Sequence, residues 1–307
     1  MPQIAYLGPP GTFTEQATRL LTEDFDADLV PYETVPLALA AVRAGEVLAA
    51  GVPVENSVEG SVPATLDALT TAEPLVAVQE AVLPVQFDLL ARPGVALSEI
   101  GTVASHPHAL AQVRSWLSEN MPGARTRATS STAAAAAEVA AGEFDAAISA
   151  SVALDHYPSL VRLVGGIADV PDAVTRFLLV RRPGVLPEPT GADRTSLCAV
   201  ISDEVGSLVE MLAELALRGI NLSRIESRPI KDRFGEYRFF LDFDGHVADA
   251  RIGDALTALR RRCSSVRFLG SYPKADRSPA SVRPSASEQA FQTSANWLED
   301  LRAGRLA

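Results

Sequence analysis

Three features of the 307-residue sequence predict an α/β domain followed by a smaller ferredoxin-like βαββαβ unit. Strand-like and helix-like segments alternate through residues 3–180, as in domains built on mostly parallel strands. A stretch from Arg181 to Asp193 then concentrates proline and glycine, as a linker does. After it, strand and helix patterns follow in the order βαββαβ within one compact stretch, the ferredoxin-like arrangement.

Taken in order, residues 3–7 read as a short strand. Gly8-Pro9-Pro10-Gly11 leads to a helix start at Thr12, where Thr12 and Glu15 have capping-box spacing. Strands over 48–54, 101–104 and 146–148 alternate with helices over 62–69, 107–117 and 132–141. Consecutive strand-like runs over 76–90 suit a crossover between two lobes. Beyond the linker, 197–201 reads as a strand. Val205, Leu208, Val209, Leu212, Leu215 and Ala216 then recur at helical spacing up to Gly219. A second strand follows over 221–229. Tyr237, Phe239, Leu241 and Phe243 alternate with Glu236, Arg238, Phe240 and Asp242 in a third. Ile252, Ala255, Leu256 and Leu259 mark another helix, and 266–272 a last strand. The expected boundaries are a domain over 1–183, a linker over 184–193, a second domain over 194–273 and a tail over 274–307. The tail opens rich in Ser, Pro and Arg and is expected to be mobile, with Trp297, Leu298 and Leu301 able to make a short helix.

Composition narrows the function classes. Hydrophobic residues at 47% and charged residues at 21% argue for a folded chain. No uncharged run approaches the roughly 18 residues that span a bilayer, so no membrane partner is expected. The N-terminus lacks a basic segment followed by an apolar core, which points to the cytoplasm. Cys198 and Cys263 are too few for a disulfide framework or a four-thiolate metal site and read as packing residues. The net charge of -11 is unevenly placed: residues 1–183 carry 10 Lys and Arg against 21 Asp and Glu, whereas 184–307 carry 17 of each. Such a field disfavours nucleic acid, whose affinity comes largely from neutralised phosphates. It permits a small anion held by a few local donors.

Several polar segments stand out, each with a structural alternative. Gly8-Pro9-Pro10-Gly11-Thr12 lacks the Gly-Lys-Ser/Thr ending of a phosphate loop, and no lysine precedes Lys231, which speaks against nucleotide hydrolysis. Its backbone N–H groups could hold a carboxylate, or the loop could be a plain βα turn. Asn56, Ser57 and Ser61 could orient a polar ligand, or cap and solvate a loop. Ser105 reads as a helix cap aligned two turns from Gln112. His106 and His108 diverge at i,i+2 and have no third ligand nearby, so a metal is not expected. Ser131 and Thr132 could bind an anion or cap the alanine-rich helix. Arg176 could grip a carboxylate in a bidentate fork, with Thr175 donating one hydrogen bond, or both could lie on a surface strand.

Together these segments resemble a prephenate dehydratase with a C-terminal ACT regulatory domain, in the family's order from the first strand to about residue 273. The resemblance is most specific at Asp169 followed after five residues by Thr175-Arg176-Phe177, and at Leu222-Ser223-Arg224-Ile225-Glu226-Ser227-Arg228-Pro229. Two departures are visible: Ala173 stands where many relatives have asparagine, and Gly206-Ser207-Leu208 replaces a Gly-Ala-Leu motif. The resemblance implies a two-lobed, periplasmic-binding-protein-like catalytic domain ahead of the ferredoxin-like ACT domain. It implies a lyase that converts prephenate to phenylpyruvate, water and carbon dioxide without a cofactor or metal, on the way to phenylalanine. Thr175 would act on the departing hydroxyl, and Arg176 would receive a carboxylate. Asn56, Ser57, Ser105, Gln112 and Phe177 would line the cleft. Thr12, Thr14, Ser131 and Thr132 would complete an anion site. L-Phenylalanine would regulate the enzyme from Gly206, Ser207 and Leu208, with Asn221, Leu222, Glu226, Ser227, Arg228 and Pro229 beside it across a subunit interface. That implies a homodimer or homotetramer. The competing readings are a noncatalytic small-molecule or amino-acid sensor and a solute-binding protein, since fold alone does not fix function.

Overall fold

A computed structural model describes residues 1–230 and 236–305; Lys231 lies outside the described residues. The chain forms two compact units, one of residues 1–69 with 81–182 and the other of residues 70–80 with 183–307.

The first unit contains two lobes built on separate sheets. Lobe 1 opens with β1 (Gln3–Leu7), whose Ile4, Ala5 and Tyr6 are buried, then α1 (Phe13–Leu21), β2 (Asp28–Tyr32), α2 (Val35–Ala44), β3 (Ala49–Asn56), the short β4 (Gly60–Ser61) and α3 (Pro63–Thr70). β1 is the centre: β2 and β3 flank it in parallel register. The chain leaves by β5 (Val76–Pro84) and enters lobe 2 at β6 (Asp88–Ala91). Lobe 2 continues through β7 (Thr102–Ser105), α4 (Pro107–Ala111), α5 (Arg114–Asn120), β8 (Arg125–Ala128), α6 (Thr132–Ala141), β9 (Ala146–Ser149), α7 (Ala153–His156) and β10 (Val161–Val164). Its strand order is β10-β6-β9-β7-β8. The return strand β11 (Val174–Arg181) closes lobe 1 by pairing antiparallel with β3. The two crossings are bonded to one another: Val85 donates to the Ala173 carbonyl at 2.7 Å and Ile167 to that of Phe87 at 2.9 Å. In each lobe, therefore, three parallel strands, β2-β1-β3 or β8-β7-β9, are flanked in the sheet by an antiparallel strand delivered by a crossing, β11 or β6.

Local chemistry explains these elements. The alanines of α6 let it lie close on its sheet, where Ala135, Ala136 and Val139 pack with Ala104 and Ala147. Ser131 caps that helix and Gly142, at φ +89°, ends it in the left-handed conformation glycine tolerates. β2, α2, β8 and β10 carry no expectation from the sequence. All four residues of β8 are exposed, so it has no apolar alternation to show.

The helix expected over 107–117 is broken into α4 and α5. The Asp169 carboxylate accepts from the N–H groups of Ser115 and Trp116 at 3.0 and 3.1 Å, capping a new helix start, while its own N–H donates to the Gln112 carbonyl at 2.7 Å. Gln112 therefore sits just past the end of α4 and shares no helix with Ser105, which ends β7. His106, not Ser105, caps α4, its Nδ1 accepting from the His108 N–H at 3.3 Å.

The second unit has β12 (Asp193–Val200), α8 (Ser207–Ala216), β13 (Leu222–Pro229), β14 (Tyr237–Asp244), α9 (Ala250–Arg262) and β15 (Ser265–Pro273), the βαββαβ order. Its strands lie β13-β14-β12-β15, with Leu197, Leu215, Leu241, Phe243, Ile252 and Leu259 in the core beneath the helices. Residues 70–80 join this unit. Ala77 pairs parallel with Gly270, where a Cβ would meet the Ala77 carbonyl oxygen at 2.3 Å, so only glycine fits. Glu80 is ion-paired with Arg194. The tail over 274–307 carries α10 (Glu288–Arg302), longer than the short helix expected there; Ser287 caps it. Cys198 and Cys263 are buried, and burial chiefly pushes the Cys198 thiol up to about 12. Among the described residues no helix is long and apolar enough to cross a membrane, and no group of three or more His, Cys, Asp or Glu side chains could hold a metal ion.

Candidate active site

The antiparallel pairing of β3 and β11 sets Asn56 opposite Thr175 and Glu55 opposite Arg176. The register then slips between Arg176 and Phe177, a bulge that re-aims side chains beside the pair. Asn56 Nδ2 donates to Thr175 Oγ1 at 2.8 Å. The amide cannot be turned the other way, because its Oδ1 accepts from the N–H groups of Val58 and Glu59 at 2.8 and 2.9 Å. Thr175 Oγ1 is thus an acceptor toward Asn56, and its own proton is directed elsewhere. Ser57 fixes the same turn to β11: its Oγ accepts from the Val174 N–H, and its N–H donates to the Val174 carbonyl, both at 2.9 Å.

Lobe 2 reaches this turn through Glu59. Gln112 Nε2 donates to Glu59 Oε1 at 3.4 Å, and His108 Nδ1 lies 3.7 Å from Oε2. Burial, and then the neighbouring His108, hold the His106 ring below the ordinary histidine range. The Arg176 guanidinium is buried, with Glu55 3.7 Å away. Phe177, opposite Pro53, is buried in the core. Ser105 is fully buried and donates to the Ile148 carbonyl at 2.6 Å, which ties β7 to β9.

The glycine loop forms a second group. Gly8, Pro9, Pro10, Tyr32 and Glu33 of lobe 1 line a cavity of about 540 Å³ with Ser130 and Ser131 of lobe 2. Thr12 caps α1, accepting from the Glu15 N–H at 3.4 Å and donating to the Leu7 carbonyl at 3.2 Å. Ser131 Oγ is likewise taken, by the Ala134 N–H at 2.9 Å, and Thr132 opens α6 behind it. Thr14 is buried in the first turn of α1. The Glu15 side chain reaches one residue past the capping-box position, and its Oε2 accepts the Gly11 N–H at 2.6 Å. His156 Nε2 stands 2.9 and 3.0 Å from the two carboxylate oxygens, and Arg19 lies 2.5 Å from Oε1. Burial alone would raise the Glu15 carboxyl, but the hydrogen bonds from Gly11, Arg19 and His156 bring it below its ordinary value. The loop N–H expected to greet an external anion is therefore met by the chain's own carboxylate.

In the second unit, Gly206 at φ +92° precedes α8 and supplies no side-chain cap. The Ser207 N–H returns to the Glu204 carbonyl at 3.2 Å, and Leu208 is partly exposed. Asn221 Nδ2 donates to Asp244 Oδ2 at 2.9 Å. The expected effector residues of β13 divide between its faces. Leu222, Glu226 and Arg228 lie on the half-buried face, with Glu226 between Arg224 and Arg228, while Ser227 and Pro229 are exposed on the other.

Sequence reasoning missed Glu15, His156 and Glu59 as parts of these groups. Capping-box spacing singled out Glu15 but gave no sign of His156, 141 residues away.

A neutral hydroxyl with its proton to give suits loss of a hydroxyl group better than hydride or phosphoryl transfer. The class is a hydro-lyase of two-lobed α/β build with a ferredoxin-like unit appended. The chain belongs to the prephenate dehydratase family, whose profile matches residues 4–184; the ACT domain profile matches residues 199–261. The chain is 60% identical over 308 residues to a prephenate dehydratase of Amycolatopsis methanolica, covering 100% of both chains. It is 46% identical to one of Mycolicibacterium gilvum, over 99% of this chain and 100% of that one. The crystal structure of prephenate dehydratase in complex with L-Phe from Arthrobacter aurescens is similar with a TM-score of 0.92, at 47% identity, covering 98% of this chain and 99% of the other.

Proposed function

We propose that Thr175 carries the dehydration of prephenate in this chain, by donating a hydrogen bond to the hydroxyl that leaves. In the reaction the bond between the ring and its carboxylate breaks and the electron pair enters the ring. The para carbon–oxygen bond breaks in turn, and the hydroxyl takes up one proton and departs as water. Carbon dioxide and an aromatic ring remain, so no oxidant or reductant is required. Charge develops on the departing oxygen, and that is where a preorganised donor is worth most. The observation that carries this reading is the Asn56 amide, locked by two backbone N–H groups so that it donates to Thr175 and turns the threonine proton outward. Threonine is too weak an acid to give its proton up outright, so it polarises, and water supplies the proton. Arg176, on the same strand, receives a substrate carboxylate. Gln112 acts with Glu59 on the far side of the cleft. Ser105, whose hydroxyl donates a hydrogen bond to the Ile148 carbonyl, holds β7 to β9. Ser57 shapes the turn, and Phe177 supports it from the core.

The second unit takes L-phenylalanine, a ligand with which the Arthrobacter aurescens relative is in complex. The capless start of α8 offers backbone N–H groups to its carboxylate. Val205 and Val209 at that start, and Leu217 at the far end of α8, are largely exposed, and a second copy of the chain in a homodimer or homotetramer would cover them. The enzyme works in the cytoplasm. Phenylpyruvate formation from prephenate tests the central role: Thr175→Val should lower kcat by roughly 10² to 10³ with little change in substrate affinity. Wild-type turnover in that variant would remove Thr175 from the chemistry.

A further inference from the structure

The Glu15 carboxylate is buried and spends all its capacity on groups from both lobes. Gly11 is its partner in the glycine loop and Arg19 its partner on α1, while His156 comes from α7 of lobe 2. Arg19 also turns to Asp155 of α7 at 2.9 Å, so two side chains of α1 meet two of α7. The backbone agrees with this joint. Gly11, at φ +90°, lies so close to lobe 2 that a Cβ would stand 3.2 Å from Ala153 Cα and 3.4 Å from Ala133 Cβ. Phe13, two residues on, packs edge-on against Phe87 in the crossing, with ring centres 5.5 Å apart. The three residues just before Gly11 line the cavity with Ser130 and Ser131. Where the loop sits thus decides the shape of that cavity.

We propose that Glu15 is a positioning residue: its bonds to the Gly11 N–H and to His156 hold the glycine loop against lobe 2, so that the cavity is shaped before substrate arrives. Glu15 touches no reacting atom. It also fills the N–H that an incoming carboxylate would otherwise use, so the substrate's anionic groups must find Arg176 instead. Preorganisation of this kind lowers the cost of binding more than the barrier to chemistry. The inference rests on the reading of the first unit as the prephenate site, and two measurements keep the two apart.

The first is steady-state kinetics. Glu15→Ala should raise KM for prephenate about tenfold with a much smaller fall in kcat, a modest loop displacement being felt mostly in binding. His156→Ala should move KM the same way by less, and the double variant should be no worse than Glu15→Ala alone. Glu15→Gln, whose amide oxygen still accepts from Gly11, should recover part of the loss. The second is hydrogen exchange of the segment 7–15, which needs no turnover. The Gly11 amide should be protected in the wild type and lose protection in both Glu15→Ala and His156→Ala. An exchange rate unchanged in the folded variants, or kcat and kcat/KM falling together, overturns the proposal. Absence of phenylpyruvate from the wild type would instead overturn the prephenate reading, and exchange would still decide the role of Glu15.

Discussion

The turn after Asn56 and the glycine loop before Thr12 both crowd polar groups at the carboxyl end of a strand, but their hydrogen bonds are spent differently. At Asn56 the amide is committed to Val58, Glu59 and Thr175 in a way that leaves the Thr175 proton directed away from it. At the glycine loop, the Gly11 N–H goes to Glu15 and the Thr12 hydroxyl to α1 and β1. A dense polar segment therefore marks a reactive site only where some hydrogen-bonding capacity remains after the chain has satisfied itself. On the proposed reading the first cluster does the chemistry, and the second is the frame that holds it.

The comparison can be broken at either end. Asn56→Asp is the harsher change. A carboxylate can only accept, so the Thr175 proton would turn inward and kcat should fall by about 10², near the loss of an oxyanion donor. Unchanged kcat in that variant would mean that the direction of the Thr175 proton is immaterial. Glu15→Gln sharpens the other end through pH. The Glu15 carboxyl is held below its ordinary value of 4.5 in the folded state. Its contribution to stability is thus fully present above that value and lost as pH falls through the folded one. Urea unfolding should show the variant weaker than wild type at neutral pH, with the gap closing in acid. A gap independent of pH would show that charge at Glu15 is not the cause. Thr12→Ala should have the smallest effect: about 1 kcal/mol of stability for a lost helix cap, read as a lower urea midpoint, with kcat unmoved. A large fall in kcat there would place Thr12 on the substrate.

Much of this was legible in the sequence, for reasons specific to each part. The second unit announced itself because Tyr237, Phe239, Leu241 and Phe243 alternate and the helical spacing of 205–216 is regular, both local signals. The Thr175-Arg176-Phe177 strand was visible in the same way. What stayed hidden depends on residues distant in sequence. A helix over 107–117 is what local periodicity supports, and only Asp169, arriving from the return crossing, divides it. Residues 70–80 belong with the second unit because Gly270 and Arg194 receive Ala77 and Glu80, which no local pattern encodes. Thr12 and Ser131 looked equally like caps or ligand contacts until their hydroxyl partners were seen.

The central claim is that Asn56 works through Thr175, by turning its proton toward the substrate. A double-mutant cycle on kcat for phenylpyruvate formation, with Asn56→Ala, Thr175→Val and the pair together, tests this most directly. If the two act as one unit, the double variant should be no slower than Thr175→Val, because Asn56 has nothing left to orient. Losses that multiply would show two independent contributions and contradict the account.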